Sequence, residues 1–135
     1  LYYFAQANNS LVLGTGNKVE DFGIGFFTKY GDGGVDISPI ADLLKSEVYT
    51  IGHELGINND ILTAPPTDGL WEDDKTDEEQ IGATYSELEW AMNFKEEGLL
   101  SEREKKVLHI YKQLNCANKH KMIEIPVCII PKHLK

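Results

Sequence analysis

The chain has 135 residues and a formal net charge of −9 at pH 7. This length suits one domain, and the negative charge argues against non-specific nucleic-acid binding. No apolar run is long enough to span a membrane and no secretory leader is recognisable, so we expect no membrane association. The two cysteines are too few for a disulfide framework and favour a reduced, cytoplasmic protein.

The first part of the chain predicts one strand between helices. The opening residues read as the last turns of a helix that ends at Asn8–Asn9, so we expect sequence before Leu1. The apolar run over 11–13, ended by glycine, is typical of a strand buried on both faces. Asn17 is suited to cap a following helix, predicted over 17–27.

Beyond a glycine-rich loop over 29–36, the pattern becomes mostly helical. A helix from Asp42 is predicted to end at Gly56, and a short helix follows at 58–63. Its apolar residues recur at the spacing of one buried face: Leu44, Val48, Ile51 and Leu55. After Pro65–Pro66 the acidic, aperiodic sequence predicts a long loop.

The last part of the chain contains signals for three more helix starts. Each is an S/T-x-x-E capping box: Thr76 with Glu79, Thr84 with Glu87, and Ser101 with Glu104. The final helix carries apolar residues on one side: Val107, Leu108, Tyr111 and Leu114. The apolar tail after it predicts an extended strap that packs on the domain. One strand among helices is typical of the second half of an α/β domain.

The segment GTGN at 14–17 lies between the predicted strand and a helix start. Backbone N–H groups at such a position suit an anion or a nucleotide, although a tight turn between strand and helix explains the glycines equally well. Glu20 follows on the adjoining helix. A carboxylate beside phosphates suits Mg²⁺, whereas a favourable interaction with the helix dipole is the simpler explanation.

The stretch GFFTKYGDGGVDISPI, residues 25–40, contains more glycine and charge than a surface turn needs. Glycine permits close backbone approach to a ligand, while lysine suits phosphate and aspartate suits ribose hydroxyls. Lys29, Asp32 and Asp36 lie among its glycines, so a ligand-binding loop is favoured over a solvated turn. The later pair His120–Lys121 is a further basic group that could meet a phosphate.

Other catalytic patterns are missing from this sequence. We find no CxxC or HExxH zinc motif, no GxSxG elbow, and no convincing histidine partner for either cysteine. Covalent catalysis by a protein nucleophile is therefore disfavoured.

Four segments in a fixed order resemble the C-terminal half of the ammonia-dependent NAD synthetase family: LVLGTGNKVE, GFFTKYGDGGVDISPI, PPTDGLWEDDKTDEEQIGATYSELE and KHK. The resemblance runs to about Glu124. It implies an α/β, Rossmann-like adenine-nucleotide α-hydrolase (ATP pyrophosphatase) fold, of which 1–135 would be the mostly helical C-terminal half with a short parallel strand. The family's SGGxDS phosphate loop does not occur here and would belong to an N-terminal part of the same domain.

The resemblance also implies a reaction and a set of site residues. Such enzymes, usually homodimers, adenylate the nicotinate carboxylate of deamido-NAD with Mg-ATP, and ammonia then displaces AMP. By resemblance, ATP would contact Thr15, Lys45 and Thr67, Mg²⁺ would bind Glu20, and deamido-NAD would contact Lys29, Asp36, His120 and Lys121. The chain alone is expected to be inactive. The alternatives are another amide-forming ATP pyrophosphatase and a non-catalytic nucleotide-binding or assembly module.

Overall fold

A computed structural model describes residues 1–67, 69, 75–95 and 98–135. This part of the chain is mostly helical, as expected. Its helices are α1 (Tyr2–Ala7), a π-type helix (Lys18–Ile24), α2 (Lys45–Glu54), α3 (Asn59–Leu62), α4 (Asp77–Ile81), α5 (Tyr85–Asn93), α6 (Glu102–Met122) and a 3₁₀ turn (Lys132–Leu134). The loop predicted after Pro65–Pro66 lies largely outside the described residues.

The helix starts follow the predicted capping pattern. At α5 the Thr84 hydroxyl accepts the backbone N–H of Glu87, while the Glu87 carboxylate accepts the backbone N–H of Thr84. The boxes at the starts of α4 and α6 are formed in the same way. Asn17 caps the π-type helix through its side-chain oxygen. These bonds satisfy N–H groups that have no partner inside the helix.

The hydrophobic core lies where the π-type helix, α5 and α6 pack together. The largest fully buried side chains come from all three elements: Val19, Ile24, Leu88 and Val107. Leu108 is also buried, and Tyr111 and Leu114 pack at the edge of this core. The apolar side predicted for the last helix is therefore confirmed.

The predicted strand over 11–13 is not a regular strand in the described part of the chain. A single parallel bridge joins Leu13 to Ile37, and the N–H of Gly14 donates to the carbonyl of Ile37 at 2.7 Å. Val12 is buried, but Leu11 and Leu13 are 66% and 56% exposed. Burial on both faces was thus wrong for this chain, because only one side of the run is covered by described residues.

Two other apolar stretches are more exposed than the sequence pattern suggests. Ile51 on α2 and Leu55 directly after it are exposed, because the helix packs mainly against α3 and α5 and leaves its far side uncovered. The predicted stop is correct, since Gly56 adopts a left-handed backbone. The tail after α6 has no regular structure until 132, but Val127 and Ile129 are exposed, so the predicted packing was wrong.

Two findings bear on the expected environment. Both cysteines, Cys116 and Cys128, are free and exposed. Within the described ranges, no helix combines the length and the apolar character needed to cross a bilayer.

Gly25→Ala should destabilise the protein more than Gly56→Ala. Both glycines have a left-handed backbone, with φ of +63° and +69°, so each substitution introduces strain of about 1–2 kcal/mol. A Cβ at Gly25 would also lie 2.5 Å from the Cβ of Asn118, whereas no described atom lies within 4 Å at Gly56. That overlap should add about 1–3 kcal/mol. Urea denaturation measures both free energies of unfolding, and equal losses would contradict tight packing of Gly25 on α6.

Candidate nucleotide-binding site

The Glu20 carboxylate is the centre of a polar cluster between the π-type helix, α2 and α5. Its Oε1 accepts hydrogen bonds from Lys45 Nζ and from the Tyr85 hydroxyl, each at 2.6 Å. Its Oε2 accepts from the Asn17 amide, also at 2.6 Å. The side chains of Glu20 and Lys45 are 17% and 19% exposed. The structure therefore brings two of the predicted site residues together as a partly buried ion pair.

Local sequence places the members of this cluster. The Asn17 side chain accepts the backbone N–H groups of Val19 and Glu20, which fixes Glu20 in the first turn of the π-type helix. Lys45 and Tyr85 are the first residues of α2 and α5. Residues from the first turns of three helices thus supply the contacts of one carboxylate.

Tyr85 contacts both members of the ion pair. Its hydroxyl donates to Glu20, and Nζ of Lys45 lies 4.7 Å from the centre of its ring. The hydroxyl also lies 3.2 Å from Oδ2 of Asp77. Burial, followed by the hydrogen bond and the charge of Glu20, raises the pKa of Tyr85 far above its usual range. Tyr85 is therefore a neutral hydrogen-bond donor at physiological pH.

A second carboxylate beside this cluster was missed by the sequence analysis. Asp21 lies so close to Gly16 that a Cβ at position 16 would overlap its carboxylate. Burial raises the pKa of Asp21 to about 6, and the charges of Glu20 and Asp32 add to the effect. The sequence does show an acidic residue directly after Glu20. Because consecutive residues do not face each other on a helix, this position alone did not indicate that Asp21 lies near the same cluster.

Three of the predicted dinucleotide-binding residues lie at the C-terminal end of α6. Lys29 Nζ donates to the backbone carbonyl of His120. Lys121 Nζ donates to the carbonyls of Gly25 and Phe27, at 2.9 and 2.8 Å. Cations at this end also interact favourably with the helix dipole. The structure therefore places Lys29 against the last turn of α6, which contains His120 and Lys121; these three residues are called the second basic group.

An open cavity of about 630 Å³ lies between the glycine-rich loop and α6. Its lining includes Phe27, Thr28, Asp32, Asn118 and Lys121. This size is within the range of small-molecule sites. Phe27, Lys121 and Asp32 give this lining aromatic, cationic and anionic groups, which suit a ligand that is both aromatic and charged.

The other predicted site residues, Asp36, Thr67 and Thr15, make no described hydrogen bond to the Glu20 cluster or to the second basic group. Asp36 accepts the N–H of Val12 at 2.8 Å and the hydroxyl of Tyr2 at 3.1 Å, which fixes the start of the chain against the glycine-rich loop. The Thr67 hydroxyl donates to the Lys75 carbonyl at 3.3 Å. Thr15 is exposed between Gly14 and Gly16.

The described residues near Glu20 fit a metal ion that is shared with the phosphates of a ligand. Within the described ranges, no three His, Cys, Asp or Glu side chains group in a way that could hold an ion. Mg²⁺ usually binds one or two carboxylates together with substrate phosphates and water. Glu20 fits that pattern as a single protein ligand, with Lys45 beside it to meet a phosphate.

A helix start behind a glycine-bounded turn, with a carboxylate and a lysine beside it, is typical of α/β proteins that bind nucleotides. Comparison with known proteins then identifies the family. A family model described as NAD synthase matches residues 1–125. The chain belongs to the NAD synthase family.

Individual relatives agree with this assignment. An NH(3)-dependent NAD(+) synthetase from Syntrophomonas wolfei is 42% identical over 135 residues, which are 100% of this chain and 51% of that protein. The NH(3)-dependent NAD(+) synthetase of Methanococcoides burtonii is 51% identical over 89 residues, which are 66% of this chain and 33% of that protein. The chain thus spans about half the length, or less, of these curated relatives.

Solved structures show the same relationship. An NMN synthetase from Francisella tularensis aligns with a TM-score of 0.80 at 35% identity, covering 98% of this chain and 51% of that one. An NH3-dependent NAD synthetase from Campylobacter jejuni aligns with a TM-score of 0.67 at 24% identity, covering 96% and 50%. The chain therefore has the fold of about half of each of these proteins.

A double-mutant cycle should show that Glu20 and Lys45 are energetically coupled. Glu20→Gln and Lys45→Met each leave a partly buried group without its ion-pair partner, at an expected cost of about 1–3 kcal/mol. The double variant should lose less than the sum of the two, by about 1 kcal/mol or more. Urea denaturation of the four proteins gives the coupling free energy.

The exposed pair Lys18–Asp42, at 2.8 Å with side chains 38% and 97% exposed, is the matched control. Its coupling should be smaller, because solvent screens exposed charges. If the losses of unfolding free energy at Glu20 and Lys45 are additive, the two residues are not energetically coupled and the proposed stabilising ion pair is contradicted.

Proposed function

We propose that this chain is the C-terminal part of a single NAD synthetase domain of the adenine-nucleotide α-hydrolase fold. The enzyme would amidate deamido-NAD to NAD with ATP and ammonia through an adenylated intermediate. Membership of the NAD synthase family supports the reaction. The span of about half the relatives' length supports a division of the site between this chain and an N-terminal half with the SGGxDS loop.

The observation that carries the proposal is the ion pair of Lys45 with Glu20, and Glu20 lies in the first turn of the helix that follows GTGN. On nucleotide binding, Lys45 would turn from Glu20 to an ATP phosphate, and Glu20 would become a ligand of Mg²⁺. A metal ion held there offsets repulsion between the polyphosphate and the substrate carboxylate. Thr15 and Thr67 would contribute further contacts to ATP.

The second basic group would hold deamido-NAD. Lys121 lines the cavity at the end of α6, and Lys29 contacts the carbonyl of His120 in the same turn as Lys121. The two lysine ammonium groups can exchange backbone carbonyls for the phosphates of a dinucleotide. Asp36 would use the oxygen that now accepts the Tyr2 hydroxyl. Because the net charge is −9, these local lysines are needed to attract an anionic substrate.

This arrangement requires no protein nucleophile. Bringing the nicotinate carboxylate to the α-phosphate in the correct orientation, and stabilising the charge that develops there, would provide most of the rate enhancement. We further propose a homodimer in the cytoplasm. Free thiols at Cys116 and Cys128 suit a reducing compartment, and the exposed apolar side chains of α1 suit an interface.

A second candidate is a synthetase whose product is NMN, as the Francisella tularensis structure is named. The density of glycine and charge in the 25–40 loop favours the larger dinucleotide substrate. Parallel assays with deamido-NAD and with nicotinate mononucleotide separate the two products.

The decisive experiment first identifies every polypeptide in the purified protein by intact mass under denaturing conditions. NAD formation from deamido-NAD, ATP and ammonia is then measured for this chain with and without the N-terminal half. We expect turnover only when both halves are present. Deamido-NAD binding without ATP consumption in the assembled protein would instead favour a non-catalytic module.

Lys29→Ala should weaken the binding of deamido-NAD selectively. Loss of a hydrogen bond from a charged group should raise the KM for deamido-NAD about tenfold or more, while the KM for ATP changes less than about twofold. Lys119→Ala, at an exposed lysine in the last turn of α6, is the control and should change neither constant. Equal effects of Lys29→Ala on both substrates would rule out its assignment.

A further inference from the structure

Tyr85 makes two different contacts with the proposed nucleotide site from a buried position. Its hydroxyl donates to Glu20 at 2.6 Å, and its ring lies 4.7 Å from Nζ of Lys45. The residue is 6% exposed and belongs to the hydrophobic core. Core packing thus fixes the ring, and through the ring the position of the hydroxyl.

The single phenolic proton has a defined acceptor. Oε1 of Glu20 is 2.6 Å away, whereas Oδ2 of Asp77 is 3.2 Å away. The shorter distance marks Glu20 as the acceptor, because hydrogen bonds from hydroxyl to carboxylate typically span about 2.5–2.7 Å. A neutral hydroxyl held in this direction orients one oxygen of the carboxylate.

This contact matters most when Lys45 leaves Glu20 for a phosphate. The carboxylate would then lose the lysine donor but keep Tyr85 on Oε1 and Asn17 on Oε2. The face of the Tyr85 ring would continue to stabilise the ammonium group of Lys45, since aromatic faces attract cations. Glu20 and Lys45 would thus separate, while the contacts with Tyr85 would keep each side chain in its orientation.

We propose that Tyr85 is a positioning residue that keeps Glu20 aimed at the metal and Lys45 at the phosphates of ATP. The inference rests on the proposed function, because it assigns to Tyr85 a role in the same site. It predicts that the hydroxyl contributes to binding of metal and ATP together, and much less to binding of deamido-NAD.

The test compares Tyr85→Phe with Tyr111→Phe in the protein assembled with its N-terminal half. Tyr85→Phe removes the hydroxyl and keeps the ring. Tyr111 is a partly buried tyrosine at the edge of the same core, and its hydroxyl makes no described hydrogen bond to the Glu20 cluster. Mn²⁺ binding in the presence of ATP is followed by electron paramagnetic resonance, and KM is measured for each substrate.

We expect Tyr85→Phe to weaken Mn²⁺–ATP binding about tenfold, with a matching loss of kcat/KM for ATP and less than about a twofold change in KM for deamido-NAD. Tyr111→Phe should leave all three unchanged. A lower melting temperature of Tyr85→Phe with unaltered Mn²⁺–ATP binding would reduce Tyr85 to a packing residue and overturn the inference.

Two further outcomes separate this inference from the proposed function. If the wild-type protein binds Mn²⁺–ATP but makes no NAD, the proposed function fails and the binding measurement alone decides the role of Tyr85. If the wild-type protein does not bind Mn²⁺–ATP, both are overturned. Should Tyr85→Phe not fold, a structure of the wild-type complex decides, and a Tyr85 hydroxyl no longer bonded to Glu20 would refute the proposal.

Discussion

The packing of α6 across the end of the π-type helix is the constraint on which both charged groups depend. The side-chain amides of Asn115 and Asn118 donate to the carbonyls of Gly23 and Ile24, at 2.7 and 2.9 Å. These carbonyls end a short helix and have few partners within it. The same contacts place the last turn of α6, with its lysines, beside the glycine-rich loop.

The π-type helix therefore links the two ends of the candidate site. Its first turn carries Glu20 to the starts of α2 and α5, and its last turn meets α6. Any shift of α6 would move Lys121 and also disturb the core around Val19 and Ile24. Coupling through a well-packed core explains how a small, mostly helical chain holds the Glu20 cluster and the second basic group in a fixed relation.

The lysines of the candidate site have protein partners. Lys45 pairs with Glu20, and Lys29 and Lys121 bind backbone carbonyls. Each partner lowers the cost of holding a cation in a partly enclosed place. Each partner is a carboxylate or carbonyl oxygen, so a phosphate oxygen would be an equivalent acceptor in the function proposed above.

Features that depend on residues close together in the chain could be predicted from the sequence. The three capping boxes, the cap at Asn17 and the stop at Gly56 all formed where predicted, because each involves residues within about four positions. The apolar side of α6 and the family could also be predicted from the sequence. Only the tertiary structure decided that Tyr85 reaches Glu20, that Lys29 meets the end of α6, and that Leu13 stays exposed. These features depend on residues far apart in the chain, whose proximity is set by packing and leaves no local pattern.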